Sequence, residues 1–292
     1  MERTVVPTPI GSSSAFTDWD LHLFGLWLGA RTLPSAPIAG LKCMVLPVEY
    51  IRCAETRYIL HHLDVRPGQR VLDIGSPKLL SLFLAARLRA EVHATDLVDY
   101  FFETYKVYAR LALGRERDRY RMASEDARTL TYPSAHFERV FSISAIEHIP
   151  DGGDTRAIQE IARVLAPGGI ACLTVPWSDH GYLEEFKHRG DPDVYWAPGD
   201  GERVFFQRAY DRGMLELRLV RPSGLRLVDL SFWGERTLPV EHVIPNRRIP
   251  RVARMLLYPG HVVLARLFLR PLSEAEPSRK KVACFTLQKA GA

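Results

Sequence analysis

Cysteine is scarce in this 292-residue chain, which has only Cys43, Cys53, Cys172 and Cys284. None of them forms a CxxC pair or stands at a metal-ligand spacing. A disulfide framework and a metal site are therefore not expected, and reduced thiols in a cytoplasmic protein are. Uninterrupted apolar runs stay below the roughly 18 residues that a membrane-spanning helix requires. The first residues lack the basic-then-apolar layout of a secretory signal. There is no internal repeat, no low-complexity tract and no Gly-x-Gly-x-x-Gly loop.

What is present suits a folded core. Hydrophobic residues make up 47% of the chain and charged residues 25%, a balance that a disordered segment does not have. The net charge of +5 is unevenly placed. From Asn246 onward ten Lys or Arg stand against Glu274 and Glu276, so that region carries +8 and the preceding chain −3. Regional basic character fits an anionic membrane surface or an acidic substrate, and equally a solvated face.

The rest of the chain is organised around Arg70 to Lys78. Val71, Leu72 and Ile74 form a short apolar run suited to a strand buried on both faces of a parallel sheet. Asp73 sits near its end, and Gly75 permits a tight turn. Ser76 is a good helix N-cap and Pro77 a good first helical residue. Leu80, Phe83, Leu84 and Leu88 continue as a helical stripe. Strand, acid, glycine turn and helix start together make a nucleotide-type site at the carboxyl end of a strand.

Strand and helix then alternate, which implies a parallel sheet with right-handed crossovers. Strands are expected over Glu91–Thr95, near Tyr120–Ala123, over Phe137–Ile146, Ile170–Val175 and Leu225–Phe232. Helices are expected over Val48–Leu63, Asp99–Leu113 and Asp154–Leu165, with another from Phe205 to Val220. Asp179 to Gly201 reads as a long functional loop. Arg251 to Arg270 mixes apolar residues with Arg and is broken by Pro259-Gly260, so two short helices are expected there. They would make a hairpin packed on the sheet, a dimer contact or an interfacial element on anionic lipid. Lys281 to Gln288 fits a closing edge strand, antiparallel to the rest. The chain thus divides into N-terminal cap helices (1–62), a core (63–235) with a substrate loop at 177–204, a basic amphipathic insertion (236–280) and a closing strand (281–292).

Asp73, Asp96 and Asp126 fall at or just past the ends of the first three strands, where an open parallel sheet forms one crevice. Carboxylates there would accept hydrogen bonds from a cationic amine, a ribose diol and an adenine amine. Val71-Leu72-Asp73-Ile74-Gly75, Ala94-Thr95-Asp96, Glu125-Asp126-Ala127, Ile146-Glu147-His148-Ile149 and Val164 through Gly169 resemble the class I S-adenosylmethionine-dependent methyltransferases of the small-molecule group. The resemblance runs from Arg70 to Pro176 and more loosely to Phe232 and the last strand. It implies a Rossmann-like, doubly wound, mostly parallel seven-stranded sheet with an antiparallel last strand, an N-terminal cap and a C-terminal insertion.

The resemblance also implies S-adenosyl-L-methionine as cofactor. Asp73 and Gly75 would lie at its methionine end, Asp96 with Leu97 at the ribose, Asp126 and Ala127 at the adenine, and Ser144 beside the methionine moiety. The family's first loop is glycine-rich, whereas here Gly75 is followed by Ser76, Pro77 and Lys78. Either the helix start receives the cofactor carboxylate, aided by Lys78, or cofactor binding is weakened and the chain is a non-catalytic binding or scaffold relative. Some quinone O-methylating relatives bind a divalent metal through a carboxylate at the position of Ser144, so no metal is expected here.

Methyl transfer is an in-line displacement, and a hydroxyl acceptor needs a base. His148 is the first candidate, Glu147 stands beside it, and His180 is the alternative. Trp177, Tyr182, Tyr195, Phe206, Gln207, Arg208 and Tyr210 would rise over the crevice and enclose a small-molecule or lipid-linked acceptor. Tyr50, Arg52 and Glu55 would close the cofactor pocket or form helix surface pairs. A nicotinamide dehydrogenase is disfavoured because Pro77 blocks close approach of a pyrophosphate. Nucleic acid is disfavoured by the lack of an Asn-Pro-Pro-Tyr motif and of a basic stripe interleaved with aromatics. A cytoplasmic location is expected, with the 247–270 segment as a peripheral contact at the inner membrane face.

Overall fold

A computed structural model describes residues 12–191, 194, 201–235, 258–276 and 279–291. Three helices come first: α1 (Asp18–Thr32), α2 (Pro37–Val45) and α3 (Tyr50–Leu63). The alternating part follows as β1 (Arg70–Ile74), α4 (Lys78–Leu88), β2 (Glu91–Asp96), α5 (Phe102–Leu113), β3 (Tyr120–Ser124), β4 (Phe137–Ile143), α6 (Gly153–Val164) and β5 (Leu165–Pro176). Next come β6 (Leu183–His188), β7 (Arg203–Ala209), and α7 (Arg212–Leu215), which continues through a π-helical turn into α8 (Arg221–Ser223). The chain closes with β8 (Arg226–Glu235), α9 (His261–Phe268), β9 (Leu269–Leu272) and β10 (Lys280–Gln288).

The main sheet runs β3-β2-β1-β4-β5-β10-β8-β9. Strands β3 to β5 are parallel, and β10 pairs antiparallel with both β5 and β8. Two differences from the sequence expectation follow. The sheet has eight strands rather than seven, because β9 adds to the outer edge of β8. The last strand is interior rather than at an edge, which explains why Val282, Cys284, Phe285 and Leu287 are all buried.

Helices cover both faces, as a doubly wound sheet requires. On one face α3 lays Ala54, Ile59, Leu60 and Leu63 on the strands, and Phe24 of α1 packs edge-on to Phe83 of α4. On the other face α6 contributes Ala157, Ile158, Ile161 and Val164, joined by Leu215 and Leu219. Val71 faces the first layer while Leu72 and Ile74 belong to the second core, so β1 is buried on both sides.

The segment after β5 departs most from the expected pattern. Asp179 to Gly201 is not all loop, since β6 lies within it, and Phe205 onward begins as strand rather than helix. Val204, Phe206 and Arg208 are buried while Arg203, Phe205 and Gln207 are more open, the two-residue period of a strand. β6 and β7 pair as a separate antiparallel hairpin. Of the two helices expected between Arg251 and Arg270, α9 is one, and the chain after it extends into β9. Residues 236–257, including Met255 to Leu257, lie outside the described residues, as does Tyr195.

Candidate active site

The turn after β1 is held from below. Asp73 is fully buried and both of its carboxylate oxygens are engaged: Ser76 N donates to Oδ1 at 3.0 Å, while Lys78 Nζ (3.2 Å) and Ser81 donate to Oδ2. Lys78 also donates to the Thr95 carbonyl at 2.8 Å and lies 3.7 Å from Asp96 Oδ2. Asp73 therefore braces the turn and does not face the crevice. Ser76 is not the helix cap, since α4 starts at Lys78; its hydroxyl instead accepts from Ile143 N at 2.9 Å. Lys78 is likewise turned inward rather than toward a ligand, because two carboxylates and a carbonyl surround it.

Gly75 has φ +66°, and a Cβ there would stand 2.6 Å from that of Ala145. Only glycine lets the β1 turn press against the end of β4. Ser144, just past β4, also has positive φ (43°), an uncommon conformation for a residue with a side chain. Its hydroxyl donates to Glu55 Oε1 at 2.6 Å, Thr174 Oγ1 donates to the same oxygen at 2.7 Å, and Arg52 binds Oε2 at 2.6 Å. Glu55 is thus buried with three groups around it, and α3 is tied to the ends of β4 and β5. Thr174 was not singled out from sequence; a threonine inside the apolar run of β5 was the available signal.

Asp96 retains some exposure at the end of β2, with Oδ1 accepting from Val98 N at 3.2 Å. Burial raises its pKa, and the Lys78 cation opposes the rise. Glu125 N donates to the Asp96 carbonyl at 3.0 Å, which brings the β2 and β3 ends side by side. Asp126 is taken up by Arg128, which binds both of its oxygens at 2.6 to 3.0 Å and holds its pKa down. Leu97 is exposed and Ala127 packs on the second core.

Past Ser144 the chain makes a short turn, Ile146–His148. Glu147 is fully buried there, and among the described residues no other residue hydrogen-bonds either carboxylate oxygen; the nearest donor is its own backbone N–H. Burial, reinforced by Glu55 and opposed by Arg52, pushes its pKa up to about 8. His148 Nε2 lies 3.9 Å from Glu147 Oε1. Its Nδ1 is 2.6 Å from the Phe206 carbonyl, an acceptor only, so Nδ1 carries the proton. Burial lowers the His148 pKa to about 4.

The hairpin meets this turn directly. Arg208 is buried and donates to the carbonyls of Ile149 (2.5 Å) and Glu147 (3.5 Å) and to Glu184 (3.2 Å). Phe206 contributes its carbonyl to His148 and its ring lies beside the imidazole. Tyr210 is fully buried on Asp154 (2.8 Å), and Trp177 stacks on Phe232 while donating to Asp179. Those two side chains are packed as core. Tyr182 donates to Glu184 and Gln207 to Glu185 near the surface. His180 is exposed, and its backbone N donates to Ser178 Oγ at 3.3 Å; among the described residues it makes no hydrogen bond to Glu147 or His148.

Residues 72–173, from β1 to β5, match the family model described as a methyltransferase domain. That stretch of the chain is a methyltransferase domain. Methyltransferase GfsG of Streptomyces halstedii is 32% identical over 63% of this chain and 62% of its own length. A ubiquinone biosynthesis O-methyltransferase of Xanthomonas campestris is 29% identical over 58% of this chain and 65% of its own. The chain therefore covers less than two thirds of either relative. Among solved structures, the [4+2]-cyclase SpnF superposes with a TM-score of 0.50 at 20% identity, covering 84% of this chain and 85% of that one. That likeness concerns the fold alone.

The residues present fit S-adenosylmethionine, the cofactor that the resemblance implies. A partly open carboxylate ends β2, positive-φ turns end β1 and β4, and beside them stands a buried carboxyl that no other described residue hydrogen-bonds. Asp96 would hold the ribose, while Gly75, Ser144 and Arg52 would lie at the methionine end.

Proposed function

We propose that this chain transfers a methyl group from S-adenosylmethionine to a hydroxyl oxygen of a small, largely apolar acceptor. The observation that carries this reading is Glu147, a buried carboxyl at the end of β4 that no other described residue hydrogen-bonds. When bound, the cofactor supplies an electrophilic methyl group on a sulfonium. Glu147 takes the acceptor's hydroxyl proton as the oxygen becomes nucleophilic. Its pKa of about 8 suits that task better than the value of about 4 at His148, because a base works best with a pKa near the working pH. His148, fixed as the Nδ1–H tautomer by Phe206, positions the turn that carries Glu147. Oxygen as the target is supported by the Xanthomonas relative, which is named an O-methyltransferase. The buried surroundings of Glu147 exclude water, which favours an in-line displacement over hydrolysis. An apolar or lipid-linked acceptor and a peripheral membrane location belong to the same reading.

A second reading is favoured by Lys78, whose cation beneath the first turn replaces the usual glycine loop: a non-catalytic binding protein on this fold. Calorimetry with S-adenosylhomocysteine on the wild type and Asp96→Ala separates the two when paired with a turnover assay. Micromolar binding, weakened about tenfold or more by the substitution, with methyl transfer to phenolic or quinol acceptors supports the enzyme. Binding without turnover supports the second reading, and no binding at millimolar ligand removes both.

A further inference from the structure

Helix α1 is apolar on both sides. Leu21, Phe24 and Leu28 face the core, while Trp19, Leu23 and Trp27 stand at the solvent surface at four-residue spacing. A helix that is apolar all round needs something against its outer face. The neighbouring helices repeat the pattern. On α2, Ile38 is 75% exposed and Leu41 is also open; on α9, Val263 and Leu267 are exposed. These seven are more than half of the thirteen large apolar residues at the surface of the described chain.

The three helices form one continuous face. α1 and α2 cross closely at Gly29 and Gly40, where a Cβ on either would meet the other's backbone at 2.7 to 2.8 Å. α9 is joined to the start of α1 through Arg266, which donates to Thr17 Oγ1 at 3.2 Å and lies over the Trp19 ring. Arg31 lies over the Trp27 ring in the same way. Lys42 and Arg270 complete a cationic rim. Acids offset it only at the start of α1, where Asp18, buried on Arg57, also lies 3.4 Å from Arg266 and Asp20 caps Thr17; α2 and α9 contain none.

We propose that this α1–α2–α9 face docks on the surface of an anionic lipid bilayer. Tryptophan with arginine at its edge suits the headgroup boundary, where an apolar ring is buried and a cation meets lipid phosphate. A second copy of the chain fits less well. Two-fold pairing of this face would set Arg31, Lys42 and Arg270 against their own counterparts, with no acid from α2 or α9 between them. No helix among the described residues is long and apolar enough to span a membrane, so the contact is peripheral. The inference rests on this surface and is independent of methyl transfer.

Vesicle flotation of the full chain tests it, with phosphatidylcholine alone and with added phosphatidylglycerol. Arg31, Lys42 and Arg270 predict about a hundredfold or greater preference for the anionic vesicles, falling steeply as salt is raised. The variant Trp19→Ser/Trp27→Ser/Leu267→Ser changes exposed positions only; it should keep the thermal unfolding transition and lose vesicle binding about tenfold or more. Equal binding to both vesicles, no binding, or binding unchanged in that variant overturns the proposal. Sedimentation that shows a dimer dissolved by the same three substitutions also overturns it, in favour of a self-association face.

Discussion

Lys78 Nζ lies 3.2 Å from Asp73 Oδ2, and both side chains are shielded from solvent beneath the first turn of the crevice. Lys78 stands in the loop that the resemblance expects to be glycine-rich. The pair fixes the turn by charge, alongside the close approach of Gly75 to Ala145.

Removing one partner of a buried pair leaves an uncompensated charge, so Lys78→Met should destabilise the fold by about 3–5 kcal/mol. Urea unfolding measures this, and Asp73→Asn on the Lys78→Met background should recover part of the loss. Equal stability of wild type and the single variant would show that the ion pair does not brace the turn.

Glu147 and His148 give opposite dependences on pH. The folded Glu147 keeps its proton to about pH 8, whereas an unfolded glutamate releases it near its ordinary 4.5. Its stabilising contribution is whole below that lower value and is lost as pH rises through about 8. His148 is depressed from 6.5 to about 4, so stability falls as pH drops between those values. Glu147→Gln should therefore abolish a decline on the order of 2 kcal/mol between pH 6 and 8. Denaturant midpoints at the two pH values check this. In turnover, the wild-type rate should climb toward pH 8 and the variant should lose that rise.

Arg208 ties the hairpin to the turn that carries Glu147 and His148. Arg208→Met should loosen the hairpin, admit water and raise the His148 pKa from about 4 toward 6.5, by about one unit or more. NMR titration of the imidazole reads this directly. Arg208→Lys should not restore it, since one ammonium cannot reach two carbonyls and Glu184 in a fork.

Local sequence determined much of this protein. The buried-strand composition of Val71, Leu72 and Ile74, the stripe on α6 and the glycine at position 75 mark the parallel sheet and its crevice, because apolar period and turn chemistry act over a few residues. Asp96 at a strand end was legible for the same reason. The hairpin was not: Phe205 to Tyr210 mixes aromatic, polar and basic residues, and only pairing with Leu183–His188 makes it a strand. The side chains' tasks were decided by contacts across the fold. Asp73 turns inward because Lys78 and Ser81 reach it, and Asp126 is occupied because Arg128 folds back on it. Glu147 outranks His148 because burial moves their proton affinities in opposite directions, and burial is a property of the packed layers rather than of either residue.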